Sequence, residues 1–220
     1  MNKMLLRKDL IGIFHKLQDS GIHHIYDYQK HRLVYVDKSG NELMYLRLPI
    51  TVKLSEDADH FTNEIVNYTI ILVQSGHSAL GYVEGDKIVA HKVVTSYMVR
   101  KKQGKSQIKY LKTKGKSRAG SRIRLANTIH FFERINTYLN TYFQQYTIDR
   151  IAFSCSKILL PYMFSPKVNC PFNKKDNRIY KIPIHIHKPN FTILQHIQHY
   201  LTKGEIIYKS SIQTLVENIL

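Results

Sequence analysis

Acidic side chains are scarce in this 220-residue chain: 16 Asp and Glu stand against 33 Lys and Arg, a formal net charge of +17. A balance this basic points to polyanionic partners, with nucleic acid or an anionic membrane surface leading. Cysteine is nearly absent, and Cys155 and Cys170 alone cannot build a disulfide framework or a four-ligand zinc site. Long apolar runs are missing too. The longest, Tyr68 to Val73, falls far short of the roughly 20 residues that a membrane-spanning helix needs. The start, MNKMLLRKDLIGIF, has neither the apolar core nor the cleavage site of a secretory signal, so a cytoplasmic location is expected. No internal repeats occur. What is present, 43% hydrophobic and 11% aromatic residues, excludes wholesale disorder and suffices for a real core.

Periodicity organises the chain. Leu6, Leu10, Ile13, Phe14 and Leu17 recur at helical spacing and predict an opening helix that ends at Ser20 and Gly21. Leu33–Val36 and Glu42–Leu46 flank the turn cluster Asp37 to Asn41 and predict a hairpin. Tyr68–Val73, Ser78–Val83 and Ile88–Val99 predict three antiparallel strands, with Glu84 to Lys87 as a turn. From Ser121, a plausible N-cap, the period becomes helical, with Leu125, Ile129, Phe132, Ile135 or Asn136, Leu139 and Phe143 on one face. Ile148–Cys155 reads as a buried strand, Ser156–Phe164 as a short helix, Phe191–Leu201 as a helix and Glu205–Tyr208 as a last strand. A strand, a helix and a strand in this order favour an α/β layered sheet.

The charge is concentrated. Residues 100–124, RKKQGKSQIKYLKTKGKSRAGSRIR, hold eleven Lys and Arg and no acidic residue. Gly104, Gly115, Gly120 and the polar remainder of this segment bury little apolar area, so it is expected to move in the free protein. A strand before it and a helix after it fix where it emerges. Near its start lie Gly104, Lys105, Ser106 and Gln107. The neutral amide of a glutamine can hold a water through its carbonyl and donate from its NH2. In a site built of RNA that is chemically sufficient, because proximity alone lowers a barrier by roughly 7 to 11 kcal/mol.

Several short motifs occur in a set order: Ser75-Gly76-His77-Ser78-Ala79, His91-Lys92, Tyr97 through Gln107, Ser117-Arg118-Ala119-Gly120-Ser121, then Arg122 and Arg124. With these residues the segment from Ile70 to Phe164 resembles the release-factor-like domain of the ribosome-rescue family whose eukaryotic members are ankyrin-repeat, zinc-finger peptidyl-tRNA-cleaving factors. That domain is in turn similar to the central, glutamine-bearing domain of eukaryotic and archaeal termination factors. The resemblance implies an α/β fold, a mixed β-sheet with flanking helices and a ribonuclease H-like layered core. It also implies that Gln107 is the catalytic glutamine, with Gly104, Lys105 and Ser106 as its approach. Where the family usually shows Gly-Gly-Ser-Gln, this chain has Lys105 as the second residue, and Ser96 stands where a basic residue commonly precedes the tyrosine. The zinc finger, ankyrin repeats and segregase-binding helix of the eukaryotic members are not matched by these residues, so a compact, bacterial-type version is expected.

Other constellations are weaker. His185 and His187 alternate about Ile186, but a zinc site wants further ligands, so no metal and no cofactor are expected. His77 is better read as supporting a strand turn than as a general base. Glu84, Asp86 and Asp149 are too scattered for a two-metal nuclease. Tyr110 could stack on a base or pack within a docked segment.

The expected organisation is an N-terminal helix and hairpin extension over 1–60, a release-factor-like catalytic domain over 66–165 carrying the basic loop 100–120, and a C-terminal extension over 166–220. The expected function is ribosome rescue by a monomer that binds the large ribosomal subunit and its rRNA and hydrolyses peptidyl-tRNA. Arg100, Lys101, Lys102, Lys109, Lys112, Lys114, Lys116, Arg118, Arg122 and Arg124 would neutralise phosphates. Two alternatives stay open: endonucleolytic cleavage of the tRNA 3′ end, and non-catalytic occupation of the peptidyl transferase centre, which Lys105 favours.

Overall fold

The computed structural model describes residues 1–98 and 119–220, with the backbone alone at 119–121. In chain order the elements are β1 (Asn2–Leu5), α1 (Arg7–Asp19), β2 (His24–Asp27), β3 (Arg32–Val36), β4 (Glu42–Arg47), β5 (Tyr68–Gln74), β6 (His77–Glu84) and β7 (Lys87–Thr95). They continue as α2 (Ala119–Gln145), β8 (Arg150–Cys155), α3 (Leu160–Met163), β9 (Ile179–Lys181), α4 (Phe191–Leu201), β10 (Gly204–Tyr208) and α5 (Gln213–Ile219). They divide into two compact units, one of Met1–Val66 with Ile197–Leu220 and one of Asn67–His196.

The first unit is an antiparallel sheet in the order β1-β10-β4-β3-β2. Leu10, Ile13, Phe14 and Leu17 of α1 are buried in one cluster with Leu33, Tyr35, Leu46 and Ile206 of the sheet. The expected hairpin is present as β3 and β4. Its turn is held by the Asp37 carboxylate, which accepts the backbone N–H groups of Ser39 and Asn41. Beside it, Arg47 pairs with Glu205 at 3.2 Å and stacks over Tyr200 at 4.4 Å, fastening β4 to β10. Glu205–Tyr208, expected within a separate C-terminal extension, therefore sits inside the N-terminal sheet. An interior strand satisfies its backbone groups on both edges there.

The second unit is a mixed sheet in the order β7-β6-β5-β8-β9. β5, β6 and β7 are antiparallel neighbours, whereas β8 runs parallel to β5 and β9 parallel to β8. Counted within the unit the order is third-second-first-fourth-fifth, the ribonuclease H-like arrangement that the resemblance implies. Every residue of β5 is buried, as a central strand covered on both faces requires. On one face Phe131, Phe132, Ile135, Leu139 and Tyr142 of α2 pack against Ile71, Val73, Leu80 and Tyr82. On the other, Gly81 leaves room for Leu194 and His91 stacks on Phe191 with ring centroids 4.1 Å apart.

Several details differ from expectation. Ser121 is not the cap of α2, because the helix already includes Ala119 and Gly120. Ile129 is 40% exposed while Phe131 is buried, since the buried stripe runs through 128, 131, 135, 139 and 142. β7 ends at Thr95, short of the expected Val99, with His91 and Lys92 in its middle. His185 and His187 lie outside any strand, although their rings meet at 4.4 Å. The proline-bearing stretch after residue 165 contains a strand, β9, too short to leave a period in the sequence.

Candidate nucleic-acid interface

Gly104, Lys105, Ser106 and Gln107, with Arg100, Lys101, Lys102, Lys109, Tyr110, Lys112, Lys114, Lys116 and Arg118, lie outside the described residues. What the structure supplies is the frame on either side of them. The preceding strand, β7, ends at Thr95, and Thr95 faces His77, which in turn faces Gln74. The basic segment thus departs from the end of the sheet at which β5 also stops.

That departure is clamped. The Ser96 N–H donates to the Gly76 carbonyl at 2.9 Å, and the Gly76 N–H lies 3.0 Å from the Met98 sulfur. Gly76 sits at φ +74°, and a Cβ there would run into the Ser96 carbonyl oxygen. Only glycine combines the left-handed conformation with this close approach. The glycine of the motif Ser75-Gly76-His77-Ser78-Ala79 therefore serves the next strand connection rather than its own turn alone. Met98, 1% exposed, plugs the same corner.

Helix α2 grips the same residues. Asn127 donates its Nδ2–H to the Tyr97 carbonyl at 3.0 Å, and its own carbonyl accepts the Ser96 hydroxyl at 3.2 Å. Ser96, noted as a departure from the family pattern, is thus a structural contact to the helix that follows the basic segment. Both flanks of residues 99–118 are held together through Asn127. Tyr97 and Ile123 are about 60% exposed beside this corner, a pair of apolar side chains next to the cationic stretch.

The two described arginines separate. Arg122 is exposed. Arg124 is 7% exposed, and its backbone carbonyl accepts the Thr128 hydroxyl at 2.8 Å. Lys92 lies over the Tyr138 ring at 4.9 Å. His77 is held below the ordinary histidine range, first by burial and then by the charge of Lys188. Among the described residues no group of three or more His, Cys, Asp or Glu is placed to hold a metal ion, and no helix is long and apolar enough to cross a membrane.

A mixed α/β sheet with a strongly basic sequence between a clamped strand end and a long helix is the organisation of a release-factor-like domain. The chain belongs to the Bacteroidetes VLRF1 release factor family, whose pattern it matches over residues 68–209. It is also similar to the mouse (Mus musculus) protein named tRNA endonuclease ANKZF1, at 24% identity over 143 residues. That match covers 63% of this chain and 19% of the mouse protein, so the chain spans about a fifth of the length of this curated relative. Among solved structures, the Vms1 mitochondrial localization core aligns with a TM-score of 0.49 at 14% identity, covering 95% of this chain and 87% of that one.

Proposed function

We propose that the protein is a ribosome-rescue factor that binds the large subunit and releases the peptide from a stalled peptidyl-tRNA. Gln107 holds the attacking water. The water oxygen bonds to the ester carbonyl carbon, the bond to the tRNA ribose oxygen breaks, and the products are a peptide carboxylate and a tRNA with its 3′ end intact. The ribosome positions the ester, so the factor needs neither a nucleophile nor a metal. Arg100, Lys101, Lys102, Lys109, Lys112, Lys114, Lys116, Arg118, Arg122 and Arg124 give affinity and register on rRNA and tRNA phosphates.

The observation that carries this reading is the clamp formed by Gly76, Ser96, Met98 and Asn127. A segment that must enter an RNA cavity gains register when its base is rigid, and membership of a release-factor family supports release as the chemistry. The test uses purified large subunits carrying labelled peptidyl-tRNA, with the products resolved on a gel. Free peptide and full-length tRNA support hydrolysis.

A second reading, cleavage within the tRNA 3′ end, is favoured by the name of the mouse relative, a tRNA endonuclease. It predicts a shortened tRNA in the same lanes. Binding with neither product would support a factor that only occupies the site.

A further inference from the structure

A second feature lies at the same end of the mixed sheet. Where β5, β8 and β9 stop, a cleft of about 430 Å³ opens, with Gln74, Cys155 and Lys181 at or near their carboxyl ends. This is where an open sheet with parallel strands binds ligands: the chain leaves β5 towards β6 on one side and returns through α2 to β8 on the other, which leaves a crevice between them. The volume falls in the range of small-molecule and cofactor sites.

The lining has two chemistries. Leu160 of α3, Phe164 just after it, and Ile182 and Ile184 after β9 give apolar surface. Lys157, Lys174 and Lys181, all exposed at the rim, give positive charge, and His185 lies beside them. No lining residue among those described is acidic. Lys174 also lies over the Phe164 ring at 5.5 Å, so one cation borders the apolar surface directly. The Cys155 thiol is pushed by burial up to about 12, which leaves it a neutral wall and not a nucleophile.

We propose that this cleft binds one unstacked nucleotide of an RNA strand, its base against the apolar wall of Phe164, Leu160 and Ile182 and its phosphate on Lys157, Lys174 and Lys181. A flat apolar body carrying an anion matches a pocket that is apolar inside and cationic at its mouth, as in stacking sites for single strands. Position points to RNA as the source of the nucleotide. β5 and β7 are separated by two strand spacings, roughly 10 Å, so the cleft opens at the same sheet end as Thr95, after which the chain runs into the basic sequence. The inference rests on the release-factor reading for that source alone.

The test has two arms on the full-length protein. Photo-crosslinking with an octamer oligoribonucleotide containing 4-thiouridine, read by mass spectrometry, is expected to mark peptides spanning 154–164 or 179–185 in addition to the basic segment. In an NMR titration, AMP is expected to shift resonances of Ser154–Lys157 and Ile182, with affinity about tenfold weaker in the double variant Lys157→Glu, Lys181→Glu. Both lysines are exposed, so these variants fold. Cross-links confined to residues 99–124, or AMP binding unchanged in the double variant, overturn the proposal. Inorganic phosphate binding as tightly as AMP overturns the role given to the base. Peptide release is scored separately. Loss of cleft binding with release intact removes the cleft alone, and cleft binding without release by the wild type removes the rescue reading alone.

Discussion

Replacing Gly76 with alanine tests the clamp at the base of the basic segment. Two costs add. Alanine at φ +74° is left-handed, which costs roughly 1–2 kcal/mol. Its Cβ must then displace the Ser96 carbonyl, loosening the Ser96–Gly76 hydrogen bond and the Gly76–Met98 sulfur contact, at about 0.5–1.5 kcal/mol each. The sum is about 2–5 kcal/mol. Gly40→Ala is an internal control: Gly40 has φ +81° but nothing within 4 Å of a Cβ, so it carries only the first cost. Thermal unfolding followed by circular dichroism should show a loss of roughly 2–8 °C for Gly40→Ala and about 4–20 °C for Gly76→Ala, at 2–4 °C per kcal/mol for a chain of this size. At 25 °C, with both variants folded, peptide release should fall for Gly76→Ala and hold for Gly40→Ala. Equal stability of the two variants, with wild-type release by both, would refute the clamp.

Replacing Lys112, Lys114 and Lys116 with serine should weaken large-subunit binding and flatten its salt dependence; with about five phosphates engaged, the wild-type slope of log affinity on log salt is roughly −4, and a slope near zero contradicts docking through this segment. Lys105→Gly should weaken binding and slow single-turnover release if Lys105 meets a phosphate, and a faster release would show instead that the segment needs the conformational freedom of glycine. Because burial lowers the His77 pKa below its ordinary 6.5, His77 contributes stability that is present above pH 6.5 and lost as pH falls through its lower folded value; denaturant midpoints of the wild type should drop across that window more than those of His77→Gln, and parallel profiles contradict the assignment.

Much of the architecture is legible from local signals. The hairpin of β3 and β4 is announced by Asp37, Gly40 and alternating apolar residues, and α4 by an apolar period whose bounds, Phe191–Leu201, match the structure. What local signals cannot carry is long-range pairing. β10 is readable as a strand, but that it lies between β1 and β4 follows from a pairing across most of the chain. β9, three residues long, has no period to read. The two faces of α2 are separated by the sheet it meets, which is why Ile129 is exposed and Phe131 buried.

The site divides along the same line. The basic segment and Gln107 are evident from charge and motif order, because consecutive residues carry them. The clamp is not, since Gly76, Ser96 and Asn127 are brought together only by the register of β5, β6 and β7 and by α2. The cleft is less visible still: its residues run from Gln74 to His185, and only the parallel pairing of β5, β8 and β9 gathers their ends.

The most direct test of the central claim is Gln107→Ala on large subunits loaded with labelled peptidyl-tRNA, with binding and single-turnover release measured on the same preparation. One neutral amide adds little affinity beside eleven cations within residues 100–124, so binding should stay within about twofold while release of peptide with intact tRNA is abolished. Release by the variant at the wild-type rate would contradict the account and remove Gln107 from the chemistry.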